Sequence, residues 1–129
     1  MAKRILQFND GFTSANAPNE AGYISVGSTQ DISASGTISF SDVTNQVLKV
    51  QGDGAAVTAS NTPFGTTPPE NGTIFIIQGQ DSTNTVTINN NDAADGCILN
   101  GDVTLGENDQ VTVYYDSVKD RYVELNRNF

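Results

Sequence analysis

Between residues 72 and 125, apolar and polar side chains alternate in short runs, and turn-forming residues close each run. Apolar residues at every second position turn one face of an extended strand inward and leave the other wet, a pattern a helix cannot use. Residues 72–78 form a β-branched and aromatic run and residues 82–88 alternate. Residues 97–99 and 103–105 flank Asn100-Gly101-Asp102, and residues 110–115 and 121–125 flank a polar connection at 116–120. Asn-Gly between two such runs is a strong hairpin signal, because the tight turn needs positive φ, which Asn and Gly tolerate. The segment predicts a run of antiparallel strands.

Upstream, residues 23–26, 37–40, 46–50 and 55–59 are short strand candidates, each closed by Gly, Ser, Asn or Asp. Acidic residues mark the breaks: Asp10, Glu20, Asp31, Asp42 and Asp53, then Glu70, Asp81, Asp92 and Asp102, fall ten or eleven positions apart within each group. The intervening residues do not match, so this is turn chemistry rather than a repeat. Strands at such spacing predict a sandwich or barrel. Residues 60–72 carry three of the four prolines and cannot lie inside a sheet, since proline donates no ladder hydrogen bond. Phe64 within this loop is either tucked beneath it or offered to a neighbour. Residues 10–22 lack any period and read as a loop, and residues 3–8 read as a first strand or as an arm that orders against something else.

No window sustains a helical period, and Gly, Thr and Asn recur too often for a helix of useful length. The expected fold is therefore all-β, an antiparallel, jelly-roll-like β-sandwich in one domain over residues 1–129, with a short N-terminal arm of about residues 1–10. A chain of 129 residues buries roughly two-thirds of its unfolded surface, enough for one core.

Six basic residues against fifteen acidic ones and no histidine give a formal charge of −9. That balance opposes binding to phosphate backbones or anionic lipid, so neither nucleic acid nor a membrane is an expected partner. The opening residues lack the continuous apolar region of a signal peptide, and no segment reaches transmembrane length. The single cysteine, Cys97, opens an apolar strand candidate and reads as a buried, inert thiol of a chain made in a reducing cytoplasm.

Chemistry-bearing patterns are sparse. Without histidine there is no histidine base or ligand, and no nucleophile elbow, phosphate loop or dinucleotide fingerprint occurs. Residues 91–102 echo an EF-hand loop, but Ala93 occupies a ligand position and strands flank it; a looser calcium site among Asp92, Asp95 and Asp102 competes with plain solvated loops. Asn71-Gly72-Thr73 matches a glycosylation sequon and reads as a turn first. The expectation is a non-enzymatic chain without cofactor or metal. Residues 73–77 are apolar on both faces of their strand, so the outer face needs a cover, either another copy of the chain or the proline loop.

The order Thr62-Pro-Phe-Gly65, Asn71-Gly-Thr-Ile-Phe-Ile-Ile-Gln-Gly79, Asn84-Thr-Val-Thr-Ile88, Gly96-Cys-Ile-Leu-Asn-Gly101, Val103-Thr-Leu-Gly106, Val111-Thr-Val-Tyr-Tyr115 and Tyr122-Val-Glu-Leu-Asn-Arg127 resembles small β-rich modules of tailed-bacteriophage virion proteins. The resemblance covers roughly residues 37–128; where the family usually carries Trp near the last strand, this chain has Tyr122. It implies a structural role on a virion surface, commonly as a homotrimer, either as a capsid decoration protein or as a tail-fibre module that recognises a host glycan. Tail fibres generally need an added shaft, so the short chain favours decoration of an assembled shell. Its partners would then be further copies of itself and the major capsid protein. Shell contact would fall to Lys3, Arg4, Ile5 and Leu6, and to Phe64, Pro68 and Pro69 of the proline loop.

Overall fold

The computed structural model describes residues 24–41 and 45–129, which contain ten strands and no helix. The strands are β1 (Ser25–Val26), β2 (Gln30–Ile32), β3 (Gln46–Gly52), β4 (Val57–Thr58), β5 (Ile74–Gly79), β6 (Val86–Ile88), β7 (Cys97–Ile98), β8 (Val103–Leu105), β9 (Gln110–Asp116) and β10 (Arg121–Asn128). They form a seven-stranded sheet in the order β1-β3-β5-β9-β10-β7, with β2 also on β3, and a three-stranded sheet in the order β4-β6-β8. The all-β reading therefore holds. The antiparallel one does not, because the large sheet is mixed: β1, β2 and β5 run parallel to β3, and β7 runs parallel to β10.

The chain's course explains the mixture. From β3 it crosses through Gly52-Asp53-Gly54 into β4 of the small sheet, returns through the proline loop, and enters β5 beside β3 in the same direction. The path from β5 to β6 repeats that circuit one strand over, so β6 lies parallel to β4. On the next pass β8 leads into β9, and both run against their neighbours β6 and β5. The arches are close-packed: a Cβ on Gly79 would collide with the backbone oxygen of Gly106, and one on Gly52 with that of Ala55. Only glycine admits such an approach.

The structure corrects two sequence expectations and adds one strand that the alternation did not mark. Asn100-Gly101 does not close a hairpin, although Gly101 has the expected positive φ of 84°. The flanking strands belong to different sheets: β7 pairs with β10 and β8 with β6. The turn is pinned to β10, since Asn100 N donates to Glu124 Oε1 at 2.7 Å and Arg127 Nη2 donates to Gly101 O at 3.0 Å. Residues 37–40 form no strand. They are held instead by side-chain amides: Gln30 both donates to Ser39 O and accepts from Ser39 N at 2.8 Å, and Gln46 makes the same pair with Ser41. The third departure is β2, which carries a single apolar residue, Ile32, and so gives no alternation signal.

The alternation itself is followed closely. Along β3, β5 and β9 every second residue is buried. These inward residues form one core with Val86, Ile88, Val103 and Leu105 of the small sheet. Its centre is aromatic: Phe64 lies 5.1 Å from Phe75 and 4.7 Å from Tyr122, and Tyr122 lies 5.0 Å from Tyr115, distances at which tilted rings attract. Phe64 is thus tucked into its own core, the first of the two positions open from sequence. At the other end of the chain, β9 and β10 form a long antiparallel hairpin with a bulge between Glu124 and Asn126.

Candidate functional site

Two surface features stand out. The first is a cleft of about 560 Å³ between residues 37–41 and the proline loop, with Phe40, Phe64, Pro68, Pro69 and Glu70 among its walls. The loop is a constrained one. Gly65 and Gly72 take φ of 78° and 86°, Gly65 N donates to Thr62 O at 2.9 Å, and Gly72 N donates to Tyr115 O at 2.8 Å. Asn71 Oδ1 accepts from Ser117 N at 2.9 Å, and Thr73 Oγ1 donates to Glu70 O at 2.8 Å. Asn71-Gly72-Thr73 is therefore a turn with its asparagine and threonine already engaged. Six hydroxyls line the cleft, from Thr37, Ser39, Ser41, Thr66, Thr67 and Thr73, against the single carboxylate of Glu70. Among the described lining residues there is one carboxylate and no basic side chain, and the lining offers hydrogen bonds and van der Waals contact.

The second is the outer face of the large sheet. Its register aligns two apolar rows across the strands. One runs Ile74–Tyr114–Val123–Ile98 and the other Val26–Val47–Ile76, where the hydroxyl-bearing Thr112 ends the apolar run. All are half-buried except Val26, which is 60 % exposed. A third row, Lys49–Gln78–Gln110–Asn128, is polar. The proline loop does not supply the cover that the sequence allowed it: Phe64 points into the core and Pro63 is fully buried there.

Titratable groups gather at a third place, the corner between β9, β10 and the loop before β7. Tyr115 Oη donates to Asp120 Oδ1 at 2.9 Å, and Asp95 N donates to Asp120 O at 2.9 Å. Burial, then the Asp120 charge, push the Asp95 carboxyl up against the pull of the Arg121 guanidinium. Burial and the Asp120 bond push Tyr115 up to about 12. Tyr122 Oη is buried and has no hydrogen-bond partner among the described residues, and burial, then the Asp95 charge, push it upward as well. Cys97 is buried and its thiol is pushed up to about 12 by desolvation, so it stays protonated at neutral pH.

Asp92, Asp95 and Asp102 do not converge. Asp92 pairs with Arg121 at 3.0 Å, Asp95 lies beside Asp120, and Asp102 Oδ1 accepts from Asn90 N at 2.8 Å. Among the described residues no group of three or more His, Cys, Asp or Glu side chains is placed to hold a metal ion. Acids at the breaks do the turn work expected of them: Asp81 Oδ1 accepts from Thr83 N and Asn84 N at 2.7 and 2.8 Å, which lowers its pKa.

Of the residues singled out for shell contact, Pro68 is exposed, Pro69 half-buried and Phe64 buried, all bordering the cleft. Lys3, Arg4, Ile5 and Leu6 lie outside the described residues. Sequence reading marked the double-sided β5 but missed the rows that β5 shares with β3, β9, β10 and β7. Those rows exist only through the pairing register. Compared with protein-family models, curated proteins and solved structures, the chain matches none.

Proposed function

We propose that this chain is a structural virion protein of a tailed phage, a capsid decoration protein that binds the assembled head as a homo-oligomer and stabilises it. The observation that carries the reading is the outer face of the large sheet, where two apolar rows lie half-exposed on a chain of net charge −9. Contiguous apolar surface of that kind marks contact with protein. The family resemblance over residues 37–128 supplies the virion context. In this reading the two sheets around one core are a β-sandwich used as a rigid plug. Binding only the assembled state stabilises it by mass action. The N-terminal residues Lys3, Arg4, Ile5 and Leu6, with Pro68 and Pro69, meet the major capsid protein.

The test is to mix the purified chain with assembled heads and with free capsid subunits of the phage that encodes it. Co-sedimentation with heads alone, and heads that survive to a higher temperature, are expected; no binding to either removes the reading. Deleting residues 1–8 is expected to leave a folded protein that no longer coats heads, and unchanged occupancy removes those residues from the contact.

The hydroxyl-lined cleft beside Pro68 and Pro69 favours a second reading, a tail-fibre module that recognises a host surface glycan. Glycan-array binding that is lost in a Glu70→Gln, Ser39→Ala variant supports it over decoration.

A further inference from the structure

We infer that the outer face of the large sheet is where copies of this chain meet, centred on Ile76 and Tyr114. The inference deepens the self-association in the proposed function by assigning it a surface, and it rests on that reading for the number of copies.

The argument begins with charge. A chain of net charge −9 repels its own copies wherever carboxylates face one another. Neither apolar row contains a carboxylate. On the flanking rows, Asp116 Oδ1 accepts from Val118 N at 3.0 Å and from Lys119 N at 3.2 Å, and Asp31 Oδ1 accepts a bond from Gln51 Nε2 at 2.8 Å. The third row adds a lysine and three amides. This is a surface that two acidic molecules can bring together without desolvating like charges. A partner recognised by charge would need basic or acidic groups within the rows, and they have none. Apolar burial with a rim of amides and one Lys matches the composition of a contact between like subunits.

Size agrees. The four long strands β3, β5, β9 and β10, at about 4.8 Å spacing and about 20 Å length, with the two-residue β1 and β7 beside them, present roughly 450 Å² per copy, so a pair buries about 900 Å² in total. That is the lower end of specific association. The expected contact is therefore reversible and concentration-dependent. Because the attraction is apolar and the repulsion is between net charges, added salt should strengthen it, the reverse of a charge-paired contact.

The experiment is light scattering and sedimentation on the full chain across concentration and salt. A mass that rises to an integral multiple of 13.7 kDa, and rises further with salt, is expected. A particle of single-chain mass at every concentration overturns the inference, including the case where the chain's own N-terminal residues cover the face. Ile76→Lys, or the gentler Thr112→Arg should Ile76→Lys unfold, is expected to give the single-chain mass with an unchanged β circular-dichroism spectrum. Thr58→Lys, exposed on the small sheet, should leave the mass unaltered. A folded Ile76→Lys or Thr112→Arg variant that keeps the oligomeric mass overturns the face. On the unmodified protein, acylation of Lys49 should slow as the oligomer forms while that of exposed Lys119 does not; equal rates throughout count against it. A wild-type monomer that still coats heads removes the interface and leaves decoration standing, whereas an oligomer that ignores heads does the opposite.

Discussion

The two faces of the large sheet are built from the same kinds of residue and have opposite fates. Inward, Leu48, Val50, Phe75, Ile77, Val111 and Val113 are buried against the small sheet and the aromatic cluster. Outward on the same strands, Val47, Ile74, Ile76 and Tyr114 are no less apolar and remain half-exposed. Hydrophobicity alone therefore does not make a core; a covering layer does. Among the described residues the small sheet, joined through the Gly52 and Gly79 arches, covers one face only.

Adjacent residues on β5 test that contrast most severely. Phe75→Ala removes a ring at the centre of the core and should cost about 3–5 kcal/mol, read as a fall in the denaturation midpoint. Ile76→Ala, one position along and facing out, should cost less than about 1 kcal/mol at dilutions where single chains prevail. Equal losses would mean the outer face is packed as tightly as the inner.

Joining the inner face to its cover depends on the arches, so the next largest effect is expected at Gly79. Gly79→Ala drives a methyl into the Gly106 carbonyl and should cost about 1–3 kcal/mol through forced separation of the arches. Chemical denaturation measures it.

Smaller and of opposite sign is Tyr122→Phe. Its hydroxyl is buried without a hydrogen-bond partner among the described residues, so removing it should leave stability unchanged or raise it by about 1 kcal/mol. A loss of stability would show that the hydroxyl is bonded in solution.

The smallest effect concerns the clamp that fixes the Asn100-Gly101 turn to β10. Glu124 is bonded by Arg127 Nε at 2.7 Å and by Asn100 N, which lowers its folded-state pKa below the ordinary 4.5. A lowered folded pKa gives stability that is complete above the unfolded value and is lost as pH falls through the folded one. Glu124→Gln should therefore lower stability by up to about 1 kcal/mol at neutral pH and flatten the acid limb of a pH–stability curve.

Much of the strand content was legible because period-two alternation is a local property. The runs at 46–50, 72–78, 82–88, 110–115 and 121–125 lie on β3, β5, β6, β9 and β10. The remainder depends on tertiary contacts. Residues 37–40 alternate but are held by the Gln30 and Gln46 side chains rather than by a neighbouring strand, an arrangement no periodicity encodes. The Asn100-Gly101 turn was recognised as a turn and misassigned as a hairpin, because the bonds that redirect it come from Glu124 and Arg127 at the far end of the chain. Of the candidate contact residues, Phe64 gave no local sign of which way its ring points. The apolar outer rows were visible only as the double-sided run of β5.

By itself the sequence settled that this chain is all-β and which side of its main strands turns inward, since a two-residue period specifies faces without reference to any partner. Only the tertiary structure decided which strands pair and in what direction. Successive circuits through two sheets lay β3 and β5 in parallel, whereas a reversed last pass sets β9 against β5. Alternation is the same whichever way a neighbour runs. Direction is instead fixed by long-range backbone bonds and by how closely the glycine arches stack.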